Sequence, residues 1–208
     1  MANRFNPDIH HRRSLRLEGY DYGKAGAYFV TVCSRNRECL FGQVIGSGMR
    51  FNEEGECVEA CWNDIRPHFR DVELDAFVVM PNHVHGILIF FDFVGAGSPC
   101  PSVEREVPAP PFQTPTDHDA ESRMGAVTAP LRRTLGRVIA YFKYESTKGI
   151  NRLRATSGAR VWQRNYYEHI IRDEDDMNRI REYILTHPIL WDQDDYNPAR
   201  CEKPSDKI

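Results

Sequence analysis

Residues 78–90 read VVMPNHVHGILIF, and two histidines stand one residue apart in an otherwise apolar run. Side chains two apart on a strand point to the same face, so His83 and His85 are expected together while Val84 points away. Two neutral imidazoles a few ångström apart can share a cation, although an H-x-H pair taken alone is weak evidence for one. A second stretch, DEDDMNRIREYILTHP from Asp173, has the period of a helix, with Met177, Ile180 and Ile184 on one stripe. Tyr183 borders that stripe and His187 follows one turn later on the same face. Taken singly, Tyr183 reads as a core-edge tyrosine and His187 as a residue suited to a helix C-terminus. Taken with the pair, they suggest three imidazoles around a cation with a phenol beside it. Asp173 to Asp176 fall in the first helical turn, where acids complement the dipole, and that reading is preferred to a carboxylate metal cluster.

Elements must hold these residues in place. Tyr28 to Arg35 alternates as a strand, and residues 40 to 51 read as a hairpin around a Gly-Ser-Gly turn. A helix is expected from about Glu53 to Phe69, a strand over 72–80, and another from His83 to Phe91 after the Pro81-Asn82 turn. Residues 94–129 hold much of the Pro, Gly, Ser and Thr without an apolar period, and are expected to be a disordered or surface insertion. A helix from Pro130 to Lys148, a strand from Val161 and the helix ending at Pro188 complete the order. The pattern is α+β, with an antiparallel sheet that carries helices on one face.

Composition sets the limits. The 208 residues suffice for one domain with a core, and the fractions of 41% apolar and 27% charged residues are those of an ordinary globular protein. No stretch approaches the roughly 20 apolar residues of a membrane span, and the polar, basic N-terminus has no secretory signal, so a cytoplasmic location is expected. The six cysteines match no zinc-finger spacing and are read as reduced thiols. The net charge is −3, yet Pro130 to Arg172 holds ten Lys or Arg against two Glu. Local potential, not the total, attracts a polyanion, so the basic half matters. Arg12, Arg13, Arg16, Arg35, Arg37, Lys143, Lys148 and Arg164 are candidates to neutralise phosphates, and Tyr141 and Tyr144 to stack unpaired bases. Tyr166 and Tyr167 are rival nucleophiles, of which at most one can point to the site face. There is no P-loop: GYDYGKA has too few residues between its glycines and Ala25 where Ser or Thr is needed.

HVH is the His-hydrophobic-His signature of HUH nucleases. With HHRRSLRLEGYDYGKAGAYFVTVCSRNRECLFG, VVMPNHVHGILIF and VWQRNYYEHIIRDEDDMNRIREYILTHP, the chain resembles the single-tyrosine HUH transposases of the REP-associated, IS200-like group. The resemblance spans both ends and the middle and omits only residues 94–129. It implies a ferredoxin-like (RRM-like) domain over 25–195, preceded by a basic arm at 1–24 and followed by a tail at 196–208. It implies Tyr183 as nucleophile and a divalent metal held by His83 and His85. The position one turn after the tyrosine, often an amide in the family, is here His187. The expected ion is Mg²⁺ or Mn²⁺, with Zn²⁺ admissible, and the third imidazole softens the site in a way that suits Mn²⁺ or Zn²⁺ better than Mg²⁺. The implied activity is nicking and rejoining of single-stranded, hairpin or repeat DNA through a 5′-phosphotyrosine, by a monomer or a homodimer, with no membrane partner. Two other readings are a non-catalytic nucleic-acid-binding module on an RRM-like sheet and a metal hydrolase that uses water.

Overall fold

The computed structural model describes residues 20–92 and 134–201, all within the unit formed by Met1–Asp92 and Arg133–Ile208. Arg12, Arg13, Arg16, the 94–129 insertion, most of the N-terminal arm and the end of the tail lie outside the described residues.

Strand β1 is Gly26–Cys33; the hairpin β2 (Gly42–Ile45) and β3 (Gly48–Phe51) forms its own two-stranded sheet. Helices α1 (Glu53–Asn63) and α2 (Ile65–His68) lead to β4 (Val72–Val79) and β5 (His83–Phe90). Helix α3 (Leu135–Leu153), strand β6 (Tyr167–Ile171), helix α4 (Glu174–Thr186), a 3₁₀ segment His187–Gln193 and α5 (Pro198–Cys201) follow. The main sheet runs β4-β5-β1-β6, and every neighbouring pair is antiparallel. Setting the small hairpin aside, this is the βαββαβ order of a ferredoxin-like α+β domain, as the sequence pattern led one to expect.

The three main helices begin on polar caps visible in the sequence. The side chains of Asn52, Thr134 and Asp173 accept hydrogen bonds from the amides of Gly55, Arg137 and Asp176. Alternation then divides the sheet. Tyr28, Val30, Val32, Val84, Leu88 and Phe90 face a core built with α1 and α3, including Trp62, Val138 and Phe142. Phe29, Ile87 and Ile171 face the other way, where Ile180 and Ile184 of α4 cover them. Helices therefore occupy both faces. The pair α1 and α3 lies on one, as expected, and α4 lies across the histidine face.

Several boundaries differ from expectation: helix α3 starts at Leu135, not Pro130, and the helix expected over residues 53–69 is interrupted at Asp64. Helix α3 continues five residues past Lys148, because Gly149 is a packing glycine and not a stop: a Cβ there would stand 2.4 Å from Cys57 Sγ. Strand β6 starts at Tyr167, not Val161. Val161 and Trp162 are buried in extended chain, but they make no more than an isolated bridge, Trp162 opposite Ser34 just past β1, before Arg164 and Asn165 turn outward.

Candidate active site

His83 and His85 lie at the start of β5, on the face opposite Val84, and are 0% and 2% exposed. The last turn of α4 brings Tyr183 over the same face, and the following 3₁₀ segment contributes His187, 3% exposed. Helix α4 is held in this place by its apolar stripe and by Arg181, whose Nε and terminal nitrogen donate to the two carboxylate oxygens of Asp75, each at 2.8 Å. Asp75 sits where β4 slips register against β5 between Leu74 and Phe77. The irregularity aims a carboxylate at the tyrosine helix.

Each histidine on β5 has one ring nitrogen tied to a neighbour. His83 Nδ1 lies 2.8 Å from Asn82 Oδ1, and that amide's nitrogen donates to the carbonyls of Arg37 and Tyr196. An amide already donating through its nitrogen accepts at Oδ1, so His83 carries its proton on Nδ1 and presents the Nε2 lone pair. His85 Nδ1 is 2.8 Å from Oγ1 of Thr31, its cross-strand partner on β1. That leaves His85 Nε2 to the site, 3.3 Å from the Tyr183 hydroxyl. His83 Nε2 and His187 Nε2 are 3.1 Å apart, and ligand atoms of all three histidines fall within 4.8 Å of one another.

Burial keeps the two imidazoles of β5 neutral. Burial pushes His83 down to about 3, against the opposing pull of Asp194. Burial, then the neighbouring His83 and His187, holds His85 well below its usual range. A cation displaces no proton from imidazoles that are already neutral, so this donor set fits a divalent metal ion. The Nε2 atoms of His83 and His187, 3.1 Å apart, repel each other through their lone pairs unless a proton or a cation lies between them. Burial also pushes the Tyr183 phenol up to about 12, with Asp194, Tyr196 and Asp195 adding to the shift, so without a cation it stays protonated.

Of the rival nucleophiles, Tyr167 alone points to the site face, with its ring 6.3 Å from Phe29; Tyr166 packs against the opposite core beneath Lys143. Asp173 caps α4, and Asp176 is engaged by His169 at 2.7 Å and by Arg179, so the acidic turn serves the helix. The basic candidates fall in two places. Arg35 and Arg37 occupy the turn after β1, and the Arg37 guanidinium lies 4.7 Å above the Tyr196 ring. Lys143, Lys148 and Arg164 line a cleft of about 520 Å³ between α3 and the 158–164 segment, together with Tyr144 and Arg160. Lys143 is turned inward there, donating to the carbonyls of Gln163 and Asn165, and burial lowers its ammonium to about 8. Lys148 and Arg164 remain exposed.

Three site residues escaped the sequence reading. Thr31 and Asn82 orient the histidines. Asp194, at the end of the 3₁₀ segment, places Oδ2 2.9 Å from His187 Nε2 and 3.7 Å from His83 Nε2. Thr31 could have been found by pairing strands in register, and Asn82 by its place beside His83 in the turn before β5. Asp194 had no periodic signal.

No helix among the described residues is long and apolar enough to cross a membrane. No family model matches the chain. A REP-associated tyrosine transposase solved with a REP hairpin aligns over 84% of this chain and 73% of its own, at a TM-score of 0.46 and 18% identity. A protein of Deinococcus radiodurans described as a transposase aligns over 81% of this chain and 94% of its own, at 0.40 and 15%. Neither likeness is close enough to assign an activity. A much nearer relative, described as an uncharacterized protein of Haemophilus influenzae, shares 40% identity over 194 residues, 93% of this chain and 97% of its own length, and the chain belongs to the same family as that protein.

Proposed function

We propose that this protein is a metal-dependent HUH-type transposase that nicks and rejoins single-stranded, hairpin-associated DNA through Tyr183. The observation that carries the reading is the Tyr183 hydroxyl 3.3 Å from His85 Nε2, inside a buried cluster of three histidines. His83 and His85 would hold a divalent cation through Nε2, with His187 as the third imidazole. When bound, such a cation binds a phosphate oxygen and offsets the charge that develops during attack.

The rest of the chemistry belongs to the chain. Asn82 and Thr31 fix the two rings, so that no reorganisation is needed when the phosphate arrives. Tyr183 Oη attacks phosphorus, and the bond from phosphorus to the 3′ oxygen breaks. The products are a 5′-phosphotyrosine and a 3′-hydroxyl. The proton lost by the phenol balances the one gained by the 3′ oxygen. The phosphodiester is conserved in the protein link, so rejoining needs no nucleotide, in keeping with a sequence that has no P-loop. Lys148 and Arg164 in the basic cleft, and Arg35 and Arg37 beyond β1, are proposed to contact the backbone, and Tyr144, 64% exposed, to stack a base. The same roles are proposed for Arg12, Arg13 and Arg16, and a contact with the backbone for Lys143.

The binding-only reading is weakened by one observation. An RRM-type module uses an open sheet face with aromatic side chains, whereas α4 buries this face under Ile180 and Ile184. The test is covalent trapping of labelled single-stranded hairpin oligonucleotides with Mg²⁺ or Mn²⁺ on a denaturing gel. A cation-dependent protein–DNA band that vanishes in Tyr183→Phe and in His83→Ala is expected. Cleavage without a band would transfer the attack to water. A band that survives Tyr183→Phe would move the nucleophile to Tyr167.

A further inference from the structure

A carboxylate stands against the cluster on the side of His83 and His187. Asp194 has a side chain only 5% exposed, and its two carboxylate oxygens have different tasks. Oδ1 accepts from the Tyr196 amide at 2.9 Å, which anchors the group in its own turn. Oδ2 points at the histidines, 2.9 Å from His187 Nε2 and 3.7 Å from His83 Nε2. Those two nitrogens are themselves 3.1 Å apart. Atoms that share a tetrahedral cation at bonds of roughly 2.0–2.1 Å lie about 3.3 Å from one another, and these three separations bracket that value.

An acid that merely orients a ligating histidine stands on the ring nitrogen remote from the metal. In His187 the remote nitrogen is Nδ1, which is buried and has no hydrogen-bond partner among the described residues. Asp194 instead sits at Nε2, on the side shared with His83. We propose that Asp194 is a ligand of the divalent cation through Oδ2, which makes the centre three imidazoles and one carboxylate. The inference rests on the cation-binding reading of the three histidines. An anionic oxygen hardens a donor set that three imidazoles alone leave soft, and it cancels part of the cation's charge. With four protein ligands, a phosphate oxygen needs a fifth position. Mn²⁺ takes five or six ligands readily, whereas four-coordinate Zn²⁺ would be closed, so Mn²⁺ is the better fit for turnover.

The test uses the full chain stripped of metal and titrated with Mn²⁺ by calorimetry, and with Co²⁺ by visible absorption. Asp194→Asn keeps an oxygen for the His187 bond but not the charge, and Asp194→Glu keeps the charge on a longer arm. Metal-free melting of each variant checks that it folds. The expected result is one cation per wild-type chain, at least tenfold weaker Mn²⁺ binding in Asp194→Asn, and a Co²⁺ band altered in both variants. Unchanged affinity and an unchanged Co²⁺ band in a folded Asp194→Asn would overturn the carboxylate ligand and leave the histidine site standing. No uptake of either ion by wild type would overturn the histidine site itself, and this proposal with it.

Discussion

The histidines take their properties from the residues that touch them. Thr31 Oγ1 fixes His85 from the neighbouring strand, and removing that hydroxyl leaves a ring free to choose its tautomer. Thr31→Val, close in shape, should therefore weaken Mn²⁺ binding by about 10- to 100-fold with little change in melting temperature, as calorimetry on the variant would read. The same burial makes the metal-free protein acid-sensitive. His83 and His85 titrate far below the usual imidazole value in the fold, and near 6.5 once unfolded. Below about pH 6.5 the unfolded chain takes up protons that the folded chain refuses, so stability is full above that pH and falls beneath it. The slope is at most about 1.4 kcal/mol per pH unit for each histidine. Urea unfolding of the metal-free protein at pH 5, 6 and 7 measures it, and a flat profile would contradict the buried neutral pair. His83, His85, Tyr183 and His187 were legible in the sequence because two periods, 2 and 3.6, place each on a computable face. Asp194 was not, since WDQDDYNP has no period and its direction is set by turns and by Pro188 upstream.

At the scale of elements, the site depends on how β5 is clamped. On the side away from the histidines, Gly86 lies flat beneath Trp62, so that a Cβ would come within 2.2 Å of the indole. The indole cannot yield, because it stacks on Phe77 with ring centres 5.7 Å apart and meets Phe142 edge-on. Gly86→Ala should cost about 1–3 kcal/mol and lower the thermal midpoint by several degrees, with Mn²⁺ affinity reduced as the strand shifts. A melt coincident with wild type would mean that the indole has room to move. The sequence announced the strand but not this contact, because a glycine in an apolar run is silent about which ring approaches it. The caps Asn52, Thr134 and Asp173 are of residue types that start helices, a local event of three or four residues, yet the expected start at Pro130 passed over Thr134. The β4 irregularity that presents Asp75 to Arg181 was hidden, being a property of pairing and not of either strand alone.

At the scale of the molecule, the histidines and the point where the chain departs toward residues 94–129 are at opposite ends of β5. The histidines open that strand, and the chain leaves it after Phe90. Phe90 pairs with Gly26 of β1, and α3 is tied to the chain just before β1 by the Leu135 amide donating to the Tyr22 carbonyl at 3.0 Å. Replacing residues 94–129 with a short Gly-Ser linker should therefore leave cation affinity within about twofold of wild type, since neither the histidines nor their supports are touched. A tenfold loss in the same titration would show that the segment serves the centre. Overall topology was readable because element order and antiparallel pairing leave few alternatives. The second covered face was not foreseen, since an amphipathic helix does not declare which side of a sheet it will take.

The contact between Tyr183 and His85 has a consequence for timing. In the ligating tautomer the phenol donates its proton to the same lone pair that a cation must occupy. On the proposed function, the phenol and a bound cation would compete for one nitrogen, so the metal-free protein would hold the tyrosine in check. Binding of the ion would free the hydroxyl in the same event that prepares a phosphate site. That shared atom would set the order of steps: ion before strand, and no premature adduct when ions are scarce.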